Sequence, residues 1–227
     1  MTEIRLLTYN LHGLRDDADA VSAVIRACAP DVVCVQEAPR FMRWRSKRAA
    51  IARKAGVVVA TADRPAGLML MTSLRATVVS THFTLLSKRP QLHQRAVCSA
   101  LFDIGGQRWR IATVHLSLDA DERRHHLPQL WSALDAVGDA PLVVAGDVNE
   151  EPHGPVWGEL STRLVDAWSV TGTGDGHTFS AASPHKRIDG IFVDRAIEVV
   201  ECSVVDVPGV AVASDHLPLL AVLRQRD

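Results

Sequence analysis

The chain of 227 residues is 47% hydrophobic and 22% charged, an ordinary globular composition with enough apolar material for one substantial core. The formal net charge of −1 argues against a protein built to coat nucleic acid, although a neutral total can hide a local basic face. Because the chain has no internal repeat, low-complexity tract or linker, we expect a single domain over residues 1–227.

Targeting signals and disulfide patterns are also lacking. No run of about 18 apolar residues occurs, and residues 1–10 lack the basic-then-apolar layout of a secretory signal. The cysteines stand singly among apolar neighbours and show no metal-site or redox spacing: Cys28, Cys34, Cys98 and Cys202. We therefore expect a soluble, cytoplasmic protein with buried free thiols and no stable membrane insertion.

Runs rich in Val, Ile and Leu predict strands along most of the chain. The predicted strands cover residues 4–10, 32–36, 57–61, 68–72, 76–85, 95–103, 109–116, 142–147, 188–193, 197–206 and 217–224. Such a chain contains far more strands than one small sheet can hold.

Helices are predicted between some of these strands. Apolar residues at helical spacing predict a helix over residues 18–29, with Asp16 or Asp17 available as its cap and Pro30 closing it. Residues 40–55 and 121–137 also have a helical pattern. Pro128 should kink or interrupt the latter, because proline removes a backbone donor and clashes with the preceding turn. A shorter helix is predicted over residues 155–160.

The order of these elements indicates the architecture. Strand, helix and strand alternate early in the chain, whereas consecutive strands follow in the middle, where Gly105 and Gly106 make a turn. This order predicts an α/β (α+β) protein with two mixed sheets covered by helices.

Polar residues gather where the predicted strands end, and they indicate a metal site. The residues are Asn10, Glu37, His115, Asp147, Asn149, Asp189, Asp215 and His216. If the sheets align as in most α/β proteins, these strand ends converge on one rim. Carboxylates packed together repel one another unless a cation neutralises them. Oxygen ligands without cysteine favour Mg²⁺, Mn²⁺ or Ca²⁺ over Zn²⁺.

Six short motifs in a fixed order carry a resemblance to a known family. They are TYN at 8–10, QE at 36–37, VHL at 114–116, GDVN at 146–149, RID at 187–189 and SDHLP at 214–218. From residue 4 to about 223 the chain resembles the endonuclease/exonuclease/phosphatase family. The resemblance implies the deoxyribonuclease I-like fold, a four-layer α/β sandwich of two packed mixed β-sheets flanked by helices.

The resemblance implies a metal region and a group that activates water. Glu37 resembles the principal metal-binding carboxylate of the family, with Asn10 close by and Asp215 as a second contributor. Asp147 and Asn149 resemble the pair in which a carboxylate accepts the proton of the attacking water and an amide steadies that water.

Two histidines complete the catalytic group that the resemblance implies. Asp189 and His216 resemble an aspartate–histidine pair in which the carboxylate fixes the imidazole tautomer and stabilises its cationic form. His115 resembles a second histidine that protonates the leaving group or stabilises the pentavalent phosphorus. The implied reaction is in-line hydrolysis without a covalent intermediate.

A basic segment with interleaved aromatic residues follows Glu37 directly, over residues 40–48. Arg43 and Arg45 of this segment, together with Arg187 of the RID motif, are the predicted substrate-binding residues, since a basic surface could guide a phosphate to the metal. The alternative for the segment is a solvated helix whose aromatic residues pack on a sheet.

The predicted function is divalent-metal-dependent hydrolysis of phosphate esters, with Mg²⁺ or Mn²⁺ as cofactor and Ca²⁺ as a further candidate. A phosphodiesterase or nuclease is the first hypothesis, so nucleic acid is a candidate substrate, and no protein partner is implied. One alternative is a phosphatase or phospholipase-like esterase acting on inositol phosphates or phospholipid head groups. Another is a catalytically inactive binding module of the same fold.

Several of the site residues also have a purely structural interpretation. Asn10 could be a strand-end turn residue, and Glu37 and Asp147 could be helix caps or solvated loop carboxylates. His216 could be a hydrogen-bonded core histidine. Among the remaining histidines, His12 is worth testing because it follows Asn10 by two residues.

Overall fold

The computed structural model describes residues 2–61 and 63–226. Within these residues the strands run β1 Glu3–Asn10, β2 Val32–Gln36, β3 Val58–Val59, β4 Met69–Thr72, β5 Ala76–Leu85, β6 Ala96–Ile104, β7 Gln107–His115, β8 Leu142–Asp147, β9 Val165–Asp166, β10 Asp189–Val193, β11 Ile197–Val204 and β12 Leu219–Gln225. The helices are α1 Ala18–Cys28, α2 Trp44–Ala55, α3 Ala120–Asp135, α4 Pro155–Arg163, α5 Ala167–Thr171 and α6 Val210–Ala213. Short 3-10 turns cover His12–Leu14 and Pro65–Gly67.

The strands form two six-stranded mixed sheets, which confirms the predicted fold class. The first sheet has the order β11-β12-β1-β2-β4-β3, and the second has the order β5-β6-β7-β8-β10-β9. Each sheet has one parallel pair at its centre, β1 with β2 and β7 with β8, and its other neighbouring strands run antiparallel.

Three apolar clusters hold the layers together. Between the sheets, Leu6 of β1 and Trp109 of β7 belong to one fully buried cluster. Leu7 points to the opposite face of the first sheet, because successive strand residues alternate, and there it packs with α1 and α2. The outer face of the second sheet packs in the same way on α3 and α4, through residues such as Trp131 and Trp157. The result is a sandwich of four layers: helices, sheet, sheet, helices.

The two parallel pairs bring the motif-bearing strand ends to the same rim. Asn10 lies opposite Gln36 in the first sheet, and His115 lies opposite Asp147 in the second. The sheets are joined across this rim by a hydrogen bond of 3.0 Å, which the Asn10 amide Nδ2 donates to Asp147 Oδ2. The close alignment of the sheets therefore places residues from distant parts of the chain next to one another.

Some predicted helix and strand bounds were wrong. The helix predicted over 40–55 begins only at Trp44, since Arg43 before it is left-handed with a φ of 57°. Pro128 does not interrupt α3, which runs from Ala120 to Asp135 because its apolar face packs on the second sheet. The strand predicted over 57–61 pairs only at Val58–Val59. The short elements β9, α5 and α6 were not predicted, because none is long enough to show a period.

None of the helices in the described part of the chain is both long and apolar enough to cross a membrane.

Candidate active site

A pocket of about 440 Å³ opens at the rim where the ends of the two central parallel pairs meet. The predicted site residues that line it are Glu37, His115, Asp147, Asn149, Asp215 and His216. They come from both sheets and from loops between residues 37 and 216. Of the other two strand-end residues, Asn10 contacts Asp147 and Asp189 contacts His216, each from beside the pocket.

Asp147 lies at the centre of this arrangement, at the end of β8. The side chain is 2% exposed, and one carboxylate oxygen accepts hydrogen bonds from the Asn10 amide while the other accepts from the Asn149 backbone N–H at 2.9 Å. The Nε2 atoms of His115 and His216 lie 3.5 and 3.8 Å from Asp147 Oδ2. Burial, followed by the nearby charge of Asp189, raises the pKa of Asp147 above its ordinary value.

His216 forms a close pair with Asp189. The distance from His216 Nδ1 to Asp189 Oδ2 is 2.8 Å, and the Thr178 hydroxyl donates to the same oxygen at 2.6 Å. The ring of Phe179 covers the imidazole, with 4.9 Å between the ring centroids. Burial by itself would lower the pKa of His216, but Asp189, Asp147 and Asp215 outweigh it and raise the pKa to about 10. His216 is therefore a cation at neutral pH.

His115 is in the opposite charge state. Burial, helped by the positive charges of Arg95 and His216, lowers the pKa of His115 well below its ordinary value. The site thus holds one cationic and one neutral imidazole, and both approach the same oxygen, Asp147 Oδ2.

Glu37 presents a carboxylate that has no hydrogen-bond or ion-pair partner among the residues that the structure describes. Glu37 is half-buried and lies directly after β2, and its backbone has the left-handed conformation, with a φ of 50°. Asn149, two residues after β8, is also left-handed, at 53°. Such conformations cost about 1–3 kcal/mol in non-glycine residues, and both turn the chain out of its strand direction beside the pocket.

The donor set of the pocket fits a hard cation. Glu37 has free oxygens, and Asp215 Oδ2 has only a loose contact of 3.7 Å with His12 Nε2. Carboxylate oxygens supplemented by water are the ligands that Mg²⁺ takes in proteins. A second candidate group consists of Asp147, Asp189 and His216, whose ligand atoms lie within 4.8 Å of one another. In that group the His216–Asp189 hydrogen bond already occupies one donor and one acceptor, so Glu37 and Asp215 fit an ion better.

The side chains of Asn10 and Asn149 both form hydrogen bonds with other residues of the chain. Asn10 Oδ1 accepts a hydrogen bond from the His12 backbone N–H at 3.0 Å, and Asn10 Nδ2 donates to Asp147. Both ends of the Asn10 amide are therefore held by hydrogen bonds. Asn149 Nδ2 donates to the Leu116 carbonyl at 2.9 Å.

Three predicted substrate-binding arginines do not line the pocket. Arg187 is buried, forms an ion pair of 2.8 Å with Asp166 and stacks on the ring of Trp157. Arg43 and Arg45 are exposed, and Arg45 stacks on the neighbouring Trp44 at 4.4 Å. The charge of Arg187 is therefore paired with the buried carboxylate of Asp166, whereas Arg43 and Arg45 lie on the protein surface at the start of α2.

The positive wall of the pocket was predicted only in part, since Arg40 alone belongs to the basic segment of residues 40–48. It consists of Arg15, Arg40, His93, Arg95 and Lys186. None of these residues belongs to one of the six motifs, and apart from the position of Arg40 in that segment no local pattern separates them from the other basic residues of the chain. Only the packing of the loops between the strands brings them together.

Two packed mixed sheets with an acidic and histidine-rich pocket at one rim are the arrangement of the deoxyribonuclease I-like proteins. The family model described as "Endonuclease/Exonuclease/phosphatase family" matches residues 7–216. The chain therefore belongs to this family, whose members are phosphoester hydrolases and generally use divalent metals.

Solved structures share the fold over the whole chain. An endonuclease/exonuclease/phosphatase from Bacteroides vulgatus has a TM-score of 0.82 at 22% identity, with 100% of both chains covered. D. rerio TDP2, solved with a single strand DNA product, has a TM-score of 0.77 at 17% identity, covering 99% of this chain and 100% of its own. A mannosyl-6-phosphatase from Bacteroides thetaiotaomicron VPI-5482 has a TM-score of 0.77 at 16% identity, covering 97% and 99%. No curated protein matches the sequence significantly.

Proposed function

We propose that the protein is a divalent-metal-dependent phosphodiesterase or nuclease that cleaves its substrate by in-line attack of an activated water. The observation that carries the proposal is the position of Asp147. One oxygen of this buried carboxylate lies within 3.8 Å of both a cationic and a neutral histidine, in the same pocket as Glu37, whose carboxylate has no partner among the described residues.

Glu37 and Asp215 would hold the ion, with Asn10 close by. Their all-oxygen character suits Mg²⁺ or Mn²⁺, and Ca²⁺ is a further candidate. When bound, the metal would polarise a phosphoryl oxygen and offset the charge on the leaving oxygen.

Asp147 acts as the general base in this proposal. Its raised pKa brings it closer to neutral pH, where a base both stays ionised and accepts a proton readily. Asn10 fixes the orientation of the carboxylate through its amide. Asn149 steadies the attacking water from the loop that follows Asp147.

The two histidines have separate tasks because their charges differ. Cationic His216, held by Asp189, donates a hydrogen bond to a phosphoryl oxygen whose negative charge grows in the transition state. Neutral His115 donates a hydrogen bond to the pentavalent phosphorus group or to the leaving oxygen.

A phosphomonoesterase is the second candidate, and the positive wall of the pocket supports it. Arg40, Arg95 and Lys186 would balance the extra charge of a terminal phosphate. The two activities also have precedents among proteins of similar fold, a DNA-product complex and a sugar-phosphate phosphatase. Sugar phosphates, inositol phosphates and phospholipid head groups are the substrates to test for this alternative.

The proposal is tested with purified protein in Mg²⁺, in Mn²⁺ and in excess chelator. The substrates are plasmid DNA, single-stranded DNA, abasic DNA, RNA, inositol phosphates, mannose 6-phosphate, phospholipid vesicles and the chromogenic diester and monoester of p-nitrophenol. We expect hydrolysis only with metal, and faster cleavage of diesters than of monoesters.

The inactive variant for this assay is Asp147→Asn, which keeps the shape of the side chain and removes its charge. Turnover should fall by about 100- to 10,000-fold with an unchanged circular dichroism spectrum, since the base is lost and the fold is not. Full turnover in chelator, or by Asp147→Asn, would contradict the proposal.

A further inference from the structure

Four arginines are buried in the part of the chain that the structure describes, and they differ in how their charge is satisfied. Arg48 donates to the backbone carbonyls of Pro39 and residues 63 and 68. Arg123 and Arg187 each form an ion pair with a carboxylate, at 3.1 and 2.8 Å. Arg95 is 6% exposed, yet its guanidinium has no hydrogen bond and no carboxylate within 4 Å among the described residues, and its Nε is buried without a partner.

Arg95 faces the candidate active site. It lines the same pocket as Glu37, His115 and Asp147. It directly precedes β6, in which Val97 pairs with Val114 of β7, the residue before His115. The backbone carbonyl of Arg95 accepts from the Leu86 N–H at 3.0 Å, so the strand end that carries the side chain is fixed.

Burying a guanidinium N–H without a partner is costly, because that N–H has lost water and gained no hydrogen bond in return, and the Nε of Arg95 is buried in this way. Burial lowers the pKa of Arg95, and the charges of Asp147 and Glu37 act against this shift. An arginine stays protonated in proteins, so its five N–H donors remain available. The pocket therefore offers an anion a fork of donors on a largely buried side chain, in the same pocket as the proposed base.

We infer that Arg95 binds a non-bridging oxygen of the substrate's phosphoryl group. This inference rests on the proposed function, because the phosphoryl group is the anion that the pocket would process. Arg95 would complement the metal region at Glu37 by binding the phosphoryl group in the same pocket, and the planar guanidinium matches two oxygens of a tetrahedral phosphate.

The test measures binding rather than catalysis. Inorganic phosphate is titrated by calorimetry into the Mg²⁺-loaded full chain of the wild type, of Arg95→Met and of Arg110→Met. Arg110 is the matched control, a half-buried arginine of β7 whose guanidinium donates to the carbonyls of Leu134 and Ala140. We expect Arg95→Met to weaken phosphate binding by roughly 10- to 100-fold and Arg110→Met to leave it unchanged.

Thermal unfolding provides a second readout. If Arg95 had only a structural role, its replacement would lower the unfolding temperature. Because Arg95 is buried without a partner, Arg95→Met should unfold no earlier than the wild type, whereas Arg110→Met should unfold earlier. Added phosphate should raise the unfolding temperature of the wild type and not that of Arg95→Met. Should Arg95→Met fail to fold, Arg95→Lys takes its place, with weakened phosphate binding expected because lysine lacks the planar fork.

Equal phosphate affinity in the wild type and the Arg95 variant, or no phosphate binding by the wild type, would overturn the inference. The proposed function fails separately. A wild type that binds phosphate through Arg95 but hydrolyses none of the substrates would support the inference and contradict the function. A metal-dependent hydrolase whose phosphate affinity is the same with and without Arg95 would support the proposed function and contradict the inference.

Discussion

His115 and His216 show how strongly position controls the chemistry of a single residue type. Both are buried, and burial alone lowers the pKa of an imidazole. His216 is nevertheless cationic because Asp189 lies 2.8 Å from its Nδ1, whereas His115 has only a contact of 3.5 Å with Asp147. Two side chains of the same type therefore provide a charged and a neutral hydrogen-bond donor to one pocket.

Removing the partner of His216 should change the pH dependence of activity. The pKa of His216 is raised to about 10, so activity that needs its cation is present at neutral pH and is lost as the pH rises through that value. In Asp189→Asn the pKa should fall toward the ordinary histidine value of about 6.5, and the alkaline limb of kcat/KM should move to lower pH.

The exposed Asp175 supplies the control for this profile, since it lies outside the pocket lining. Asp175→Asn should leave the alkaline limb where it is in the wild type. An alkaline limb that stays in place in Asp189→Asn would remove His216 from the protonation scheme.

Arg187 offers a second test at the residue scale, because its two interpretations differ. As part of a buried pair with Asp166, its replacement by Met should lower the free energy of unfolding by about 3 kcal/mol, since an uncompensated buried carboxylate remains. Urea unfolding measures this loss, and KM should stay constant in the folded variant. Unchanged stability together with a raised KM would instead support the substrate-binding role that the sequence indicates.

At the scale of the elements, the parallel pair β7 and β8 depends on one glycine. Gly146 lies opposite Val114, and a Cβ added there would stand 2.0 Å from the Val114 carbonyl oxygen. A methyl group does not fit at that distance without separating the strands that carry His115 and Asp147.

Gly146→Ala should therefore lower the free energy of unfolding by about 3 kcal/mol or more and reduce activity. Gly158→Ala is the matched control, because this exposed glycine of α4 has nothing within 4 Å of an added Cβ. That control should stabilise the protein by about 0.5–1 kcal/mol through helix propensity. Equal stability of the two variants in urea would contradict this description of the strand pair.

The elements that the sequence predicts well are those with a clear period and a polar end. The strands ending at Asn10 and Asp147 have apolar runs followed by motif residues, so both their position and their direction toward a common rim could be inferred. α5 is too short to show a helical period. Arg187 was assigned to substrate binding and Arg95 received no role, because the partner of the first and the lack of a partner for the second depend on residues far away in the chain. For Arg187 the partner is 21 residues distant.

At the scale of the whole molecule, packing two sheets face to face brings together charges that the net charge hides. The total of −1 is nearly neutral, yet one pocket combines the acidic residues Glu37, Asp147 and Asp215 with a wall of basic side chains. The acidic residues suit a hard cation and the basic residues an anion. Both kinds of charge in one pocket are what the proposed metal-dependent hydrolysis of a phosphate ester would require.

The proposed metal site is tested by the metal affinity of Glu37→Gln compared with that of Asn149→Ala, measured by Mn²⁺ calorimetry on the full chain. Because Glu37 offers the free carboxylate and the Asn149 amide Nδ2 already donates to a backbone carbonyl, Glu37→Gln should lose more than about 10-fold in affinity and Asn149→Ala clearly less. A wild type that takes up no Mn²⁺, or a Glu37→Gln variant that binds it as tightly as the wild type, would contradict the account.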